Sequence, residues 1–288
     1  MAALCAVAVL SIMDALMKHL VLAIGLVAVS VWRALSTLSL SALLYLPSRS
    51  AWPSRKTLRL HVARSIIVTV MAALFFWGIG RVPLAQAIAL TFIAPLIAML
   101  LAALSLNERI DRRSIAGALG AFAGVIVIVV GQARASVASD VLLGIAAIVA
   151  SALCYAVNIV MMRHQALAAR PLEINFFQSV TVMVLWLLVL PFFGMPNWPG
   201  VQWGWVLLAA LMSTSGTLLF AWGYARGPAS YLAVTEYSGF LWASLMGWLF
   251  FNEHVSLYTG VGAVLIVGGC LTAARRKEAL PPEIDVAA

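Results

Sequence analysis

Ten runs of mainly apolar residues follow one another along the chain, separated by short polar turns. They fall near 2–20, 27–47, 62–81, 84–106, 114–132, 141–163, 171–193, 203–225, 229–251 and 256–274. A helix of about 20 apolar residues spans the hydrocarbon core of a bilayer. Each run therefore predicts one membrane-crossing helix, and the chain reads as an all-α integral membrane protein. Residues 276–288, with Pro281-Pro282 among them, lack the pattern and are expected to form a disordered tail.

The pattern repeats. A shift of 145 residues sets Leu74-Phe75-x-Trp77-Gly78-x-x-Arg81-x-Pro83 on Leu219-Phe220-x-Trp222-Gly223-x-x-Arg226-x-Pro228. It also sets Asn107-Glu108 on Asn252-Glu253, Gly117 on Gly262, Gly124 on Gly269, and Met17-Lys18-His19 on Met162-Arg163-His164. A repeat this long and this apolar predicts a duplicated membrane bundle, with units at 1–135 and 140–275. Five helices is an odd number, so the second unit must enter the membrane in the opposite sense. The expected architecture is two inverted five-helix repeats, ten transmembrane helices in all.

Composition narrows the class. Of 288 residues, 64% are hydrophobic and 10% are charged, against about half and a quarter in soluble domains. The formal charge of +8 reflects scarce acids rather than a basic patch, which argues against nucleic-acid partners. Cys5, Cys154 and Cys270 stand apart in apolar runs, with no metal or redox spacing. No metal or cofactor is expected. The first run lacks a basic leader, so a cleaved signal peptide is not expected.

Lys and Arg set the expected orientation. With the N-terminus inside, inner segments hold Arg49, Arg55, Lys56, Arg59, Arg64, Arg109, Arg112, Arg113, Arg163, Arg170, Arg226, Arg275, Arg276 and Lys277. Outer segments hold Lys18, Arg81 and Arg134. That bias predicts an inner-membrane protein with both termini cytoplasmic. Arg33 is the one basic residue this count leaves within the membrane.

Polar side chains inside a bilayer are costly and mark candidate chemistry. Glu236 leads, flanked by Thr235, Tyr237 and Ser238. It either lines a central cavity, binding a substrate ammonium or carrying a proton, or is a protonated carboxyl bonded to a neighbouring helix; the first reading is preferred. Further candidate cavity residues are Gln86, Thr91, Tyr155, Asn158, Tyr224, Tyr231, Thr235, Ser238 and Trp242, which supply hydrogen-bonding groups and aromatic faces. Asp14 and Lys18 are four apart and predict a pair along one helix face, structural or gating. His19 and His164 are candidates for proton coupling. Arg33 aligns with Gln178 and is expected to pair structurally. Pro83 and Pro228 read as helix starts, Pro95 as a kink, and Asn107-Glu108 and Asn252-Glu253 as capping and turn residues.

Asn107-Glu108-Arg109 with Gly117, Asn252-Glu253-His254 with Gly262, Met13 to Lys18, and Trp32-Arg33 together resemble the EamA type of the drug/metabolite transporter superfamily. The resemblance covers nearly the whole chain. It implies a ten-helix secondary transporter without a nucleotide-binding part, similar to bacterial exporters of amino acids, aromatic ones among them.

The function expected is export of a small metabolite by alternating access, amino acids first and hydrophobic or aromatic ones favoured. The alternatives are a lipophilic cation or a nucleoside-type metabolite. An intramembrane enzyme would need paired aspartates, HExxH or a Ser with a deep His, and the sequence has none of these. Expected partners are the substrate and the lipid bilayer, with the chain a monomer or homodimer.

Overall fold

The computed structural model describes residues 2–48, 52–94, 96–98, 101, 112–135, 139–224 and 238–274. Among them there is no strand. The α-helices are α1 (Ala2–Ile24), α2 (Leu26–Tyr45), α3 (Arg55–Ile79), α4 (Leu84–Thr91), α5 (Arg112–Ala135), α6 (Ser139–Ala168), α7 (Pro171–Phe193), α8 (Trp203–Tyr224), α9 (Gly239–Phe251) and α10 (Leu257–Ala274). Among the described residues, six stretches are long and apolar enough to cross a membrane: Cys5–Ile24, Leu26–Ser48, Arg55–Ile79, Ser139–Met162, Pro171–Phe193 and Gly200–Phe220. Shorter apolar helices, Gly239–Phe251 and Leu257–Gly269 among them, accompany these. Large apolar side chains such as Leu43, Phe192, Leu241 and Val264 point outward, as expected where lipid rather than water is the solvent. The protein is a multi-pass integral membrane protein.

Local chemistry sets the breaks between helices. Gly25, at φ 84°, adopts a backbone conformation that other residues resist and turns α1 directly into α2. Pro83 precedes the first residue of α4, and Pro171 opens α7, where a missing N–H costs nothing. Asn252 ends α9 in the left-handed region at φ 53°, and the Glu253 N–H closes back on the Gly247 carbonyl at 3.0 Å. Ser54 caps α3 by accepting from the Thr57 N–H.

That cap moves one boundary. Sequence periodicity starts the third helix at residue 62, whereas the helix begins at Arg55. The stretch Arg55 to Arg64 is too polar to register as apolar, yet it carries two opposite faces: Arg55, Lys56 and Arg59 are exposed, while His61 and Arg64 are buried. The sixth helix likewise continues to Ala168. The kink expected at Pro95, the pair Asn107-Glu108 and the tail 276–288 lie outside the described residues.

The most extensive helix pair is α5 with α10. It is built on glycine: a Cβ on Gly124 would sit 2.6 Å from the Gly262 carbonyl oxygen, and one on Gly269 would sit 2.7 Å from the Ala121 nitrogen. Small residues let the two backbones touch, which is how helices associate where lipid removes the hydrophobic drive. The other main pairs are α3 with α6, α1 with α8, α2 with both α7 and α8, and α3 with α7. α4 and α9 pack on each other, α9 also against α1 and α4 also against α6. A cavity lies between α1, α2, α3, α6, α7 and α8, with α4 and α9 touching its wall and, among the described residues, none from α5 or α10 lining it.

Candidate functional site

The cavity has a volume of about 360 Å³, in the range of small-molecule sites. Most of its wall is apolar, with Phe75, Phe76, Phe92, Trp186 and Phe220 among the lining side chains. Among the described residues, charge enters it at three points: Asp14 from α1, Arg33 from α2 and Arg64 from α3.

Asp14 and Arg33 interact electrostatically, but form no direct ion pair. Arg33 instead donates from Nη1 to Ser213 Oγ at 3.4 Å and lies 5.4 Å from the Phe76 ring centroid. Arg33 Nε, Thr37 Oγ1 and Asn175 Nδ2 are buried without a protein partner among the described residues, and all three residues line the cavity. Unpaired buried donors are expensive, so they concentrate unmet hydrogen-bonding capacity in this wall.

Arg64 is more tightly built in. Its Nε donates to Asn158 Oδ1 at 2.8 Å, and its Nη1 donates to Gln165 Oε1 at 2.6 Å and Gln178 Oε1 at 3.1 Å. The guanidinium offers only donors, so Gln165 must face it with oxygen and face His61 with its NH2 group. That NH2 bonds His61 Nδ1. His61 Nδ1 is therefore the accepting nitrogen, and Nε2 carries the hydrogen that reaches Glu173 Oε1 at 3.1 Å. Phe177 stacks on the imidazole at 5.4 Å, nearly parallel. One hydrogen-bonded chain thus joins the cavity wall to the N-terminal ends of α3 and α7.

At the opposite end of the bundle, Lys18 forms an ion pair with Glu253 and donates to the Val82 carbonyl at 2.7 Å. The second Glu253 oxygen accepts from the Leu84 N–H at 2.8 Å, placing a carboxylate at the N-terminus of α4 where the helix dipole favours it. Gly247 leaves room for it, since a Cβ there would meet Glu253 Oε2 at 2.9 Å. Lys18 thus does not pair with Asp14 as their spacing suggested. The two side chains diverge, one to the α9–α10 turn and one to the cavity, because the Glu253 carboxylate in that turn gives Lys18 a better-placed partner.

The sequence-selected residues scatter accordingly. Thr91, Tyr155 and Asn158 line the cavity with Asp14. Gln86 lies instead beside Glu253 in a separate pocket of about 160 Å³. Ser238 and Trp242 flank Gly239, which touches the cavity wall, but neither is itself in that wall. His19 is exposed, 3.3 Å from Gln202 Oε1, and His164 is exposed against the Val160 carbonyl. Glu236, Tyr231 and Thr235, and the side chain of Tyr224, lie outside the described residues.

Sequence reasoning passed over His61, Gln165, Glu173 and Asn175 as site residues, and counted Arg64 only among the basic residues of the inner segments. Arg64 is a buried basic residue lining the same cavity as Arg33. The available signal was spacing: His61, Arg64 and Val68 recur at helical intervals, as do Asn175, Gln178, Ser179 and Val182.

The profile of the EamA-like transporter family matches residues 1–130 and 142–275. The chain belongs to the EamA-like transporter family. Among similar proteins is the pseudopaline exporter CntI of Pseudomonas aeruginosa (strain UCBPP-PA14), 28% identical over 272 residues, which are 93% of each chain. A riboflavin transporter of Rhizobium johnstonii is 27% identical over 224 residues, covering 73% of this chain and 68% of that one. A solved structure, called only the crystal structure of a protein, covers 96% of each chain at a TM-score of 0.63 and 22% identity, a likeness of fold alone. This EamA-type chain is a transporter-family protein with a charged, largely apolar-walled cavity among its helices.

Proposed function

We propose that the protein is a secondary transporter that exports small metabolites across the inner membrane by alternating access, with amino acids or their relatives as cargo. The observation that carries this reading is the cavity itself: about 360 Å³ between six helices, with Asp14 available for an ammonium, guanidinium groups for a carboxylate, and aromatic faces for an apolar side chain. Export is supported by the exporters among its relatives. A lipophilic cation is disfavoured by the guanidinium groups of Arg33 and Arg64. An enzymatic reading is disfavoured by membership in a transporter family.

The proposed architecture is ten transmembrane helices in two inverted five-helix repeats, with both termini cytoplasmic. The family profile matching 1–130 and 142–275 supports it. So does the packing. Moving five helices along exchanges the pair α3–α6 with α8–α1, α2–α8 with α7–α3, and α1–α9 with α6–α4, all of them contacts of this fold. Two such units can exchange conformations and turn the cavity from one face to the other. Glu236 remains the proposed proton carrier, to be tested by the pH profile of Glu236→Gln.

The test is uptake of labelled phenylalanine, tryptophan, leucine, histidine and glutamate into liposomes holding the purified protein. Saturable uptake of at least one above empty liposomes is expected. Uptake of none, with the protein monodisperse, would overturn the amino-acid reading.

A further inference from the structure

Arg64 is 5% exposed and lines the cavity. Its three hydrogen-bond partners are amide oxygens, from Asn158, Gln165 and Gln178. No carboxylate pairs with it among the described residues. Glu173 is the nearest acid in its network, and it is occupied by His61 two links away. Neutral amides fix the direction of a guanidinium without cancelling its charge.

Stability does not explain this arrangement. Buried charges replaced by well-packed apolar groups commonly leave a protein as stable or more so. This chain shows such a replacement. The positions 145 residues from Arg64, His61, Asn158, Gln165 and Glu173 hold Ala209, Val206, Met13, Leu20 and Ala28, all buried. Gln178 alone among these residues has a polar counterpart, Arg33, so the same kind of helix contact closes with apolar groups at the other five positions.

We propose that Arg64 is the anion-binding residue of the cavity, that its amide clamp presents it to a carboxylate, and that the cargo is a carboxylate-bearing metabolite. Asn158, Gln165 and Gln178 act through Arg64 as positioning residues. Arg33, beside Asp14, serves the far part of the same cavity. This rests on the transporter reading above. It sharpens that reading, because a cation without a carboxylate would leave Arg64 buried and unpaired.

The experiment uses the full chain in liposomes and the same five labelled amino acids. Each transported acid is competed with its unlabelled self and with its primary amide, which keeps everything but the negative charge. In the wild type the amide should compete at least about tenfold more weakly than the acid. In Arg64→Gln the acid should lose on the order of a hundredfold in apparent affinity, the scale of losing a buried charged contact, and acid and amide should become alike. A purely structural role would weaken both equally. Gln178→Glu provides the second variant should Arg64→Gln not fold. It places a carboxylate against Arg64 in nearly the same shape, and should also erase the preference for the acid. If the acid preference survives in either folded variant, or the amide competes as well as the acid in the wild type, the proposal falls. If no amino acid enters at all, the transporter reading for amino acids falls first, and this one with it.

Discussion

The two ends of the central bundle are closed by different chemistry, although positions 145 residues apart close them. Where α3 meets α6 and α7, the seal is His61, Arg64, Asn158, Gln165 and Glu173, joined by hydrogen bonds. Where α8 meets α1, the corresponding residues are Val206, Ala209, Met13 and Leu20, packed in the main apolar core. The apolar seal shows that the helix contact can close without these five polar groups. A related asymmetry runs through the cavity. Its charged residues among those described, Asp14, Arg33 and Arg64, all come from the first 135 residues, whereas the second half answers with neutral amides, hydroxyls and Tyr155.

The largest effect is expected at the Lys18–Glu253 ion pair near the apolar seal. Lys18→Met leaves Glu253 largely buried without its cation, and should cost about 3–5 kcal/mol, the range for breaking a buried pair. Thermal unfolding in detergent would show it. The double variant Lys18→Met/Glu253→Gln should recover much of the loss.

Copying one seal onto the other comes next. The combined changes His61→Val, Arg64→Ala, Asn158→Met, Gln165→Leu and Glu173→Ala should give a folded, monodisperse protein whose uptake of labelled amino acids is reduced by at least about a hundredfold, or roughly 2.7 kcal/mol. Loss of folding instead would mean that the polar seal is structural, and the contrast between the ends would lose its meaning.

The α5–α10 pair should behave alike from both sides. Gly124→Ala and Gly269→Ala both push a methyl group into facing backbone, at 2.6 Å from the Gly262 oxygen and 2.7 Å from the Ala121 nitrogen. Each should cost about 1–3 kcal/mol in thermal unfolding, as overpacking does. A loss at one position only would argue against equivalent roles.

The smallest effect concerns the clamp. Gln165→Leu removes one of three acceptors from Arg64 and should raise the apparent KM for a transported acid about tenfold, near the 1.5 kcal/mol of a hydrogen bond to a charged group. Maximal uptake should change little. A fall in maximal uptake at unchanged KM would place Gln165 in the conformational step instead.

Much of this was readable from the chain. Apolar run length gives helices near the right places because lipid exposure keeps nearly every outward position apolar. Asn252-Glu253 is legible as a turn because αL geometry and carboxylate capping select few residue types. Arg64 was not legible, because Arg55, Lys56 and Arg59 face outward along the same stretch and dilute its apolar signal. The Lys18–Glu253 pair was hidden for a different reason: their separation of 235 positions outranks a four-residue helical spacing only after the fold brings α1 and the α9–α10 turn together. Asp14, which lines the cavity, was given the wrong partner for the same reason.

The central claim is that this cavity is the transport site of an alternating-access machine. The direct measurement is the reactivity of Ser179→Cys, a buried cavity position on α7, toward a membrane-impermeant thiol reagent applied to right-side-out and inverted vesicles, with Cys5, Cys154 and Cys270 replaced. The account predicts labelling from both faces and slower labelling when a transported amino acid is present. Labelling from one face alone, or at a rate no transported amino acid alters, would contradict it.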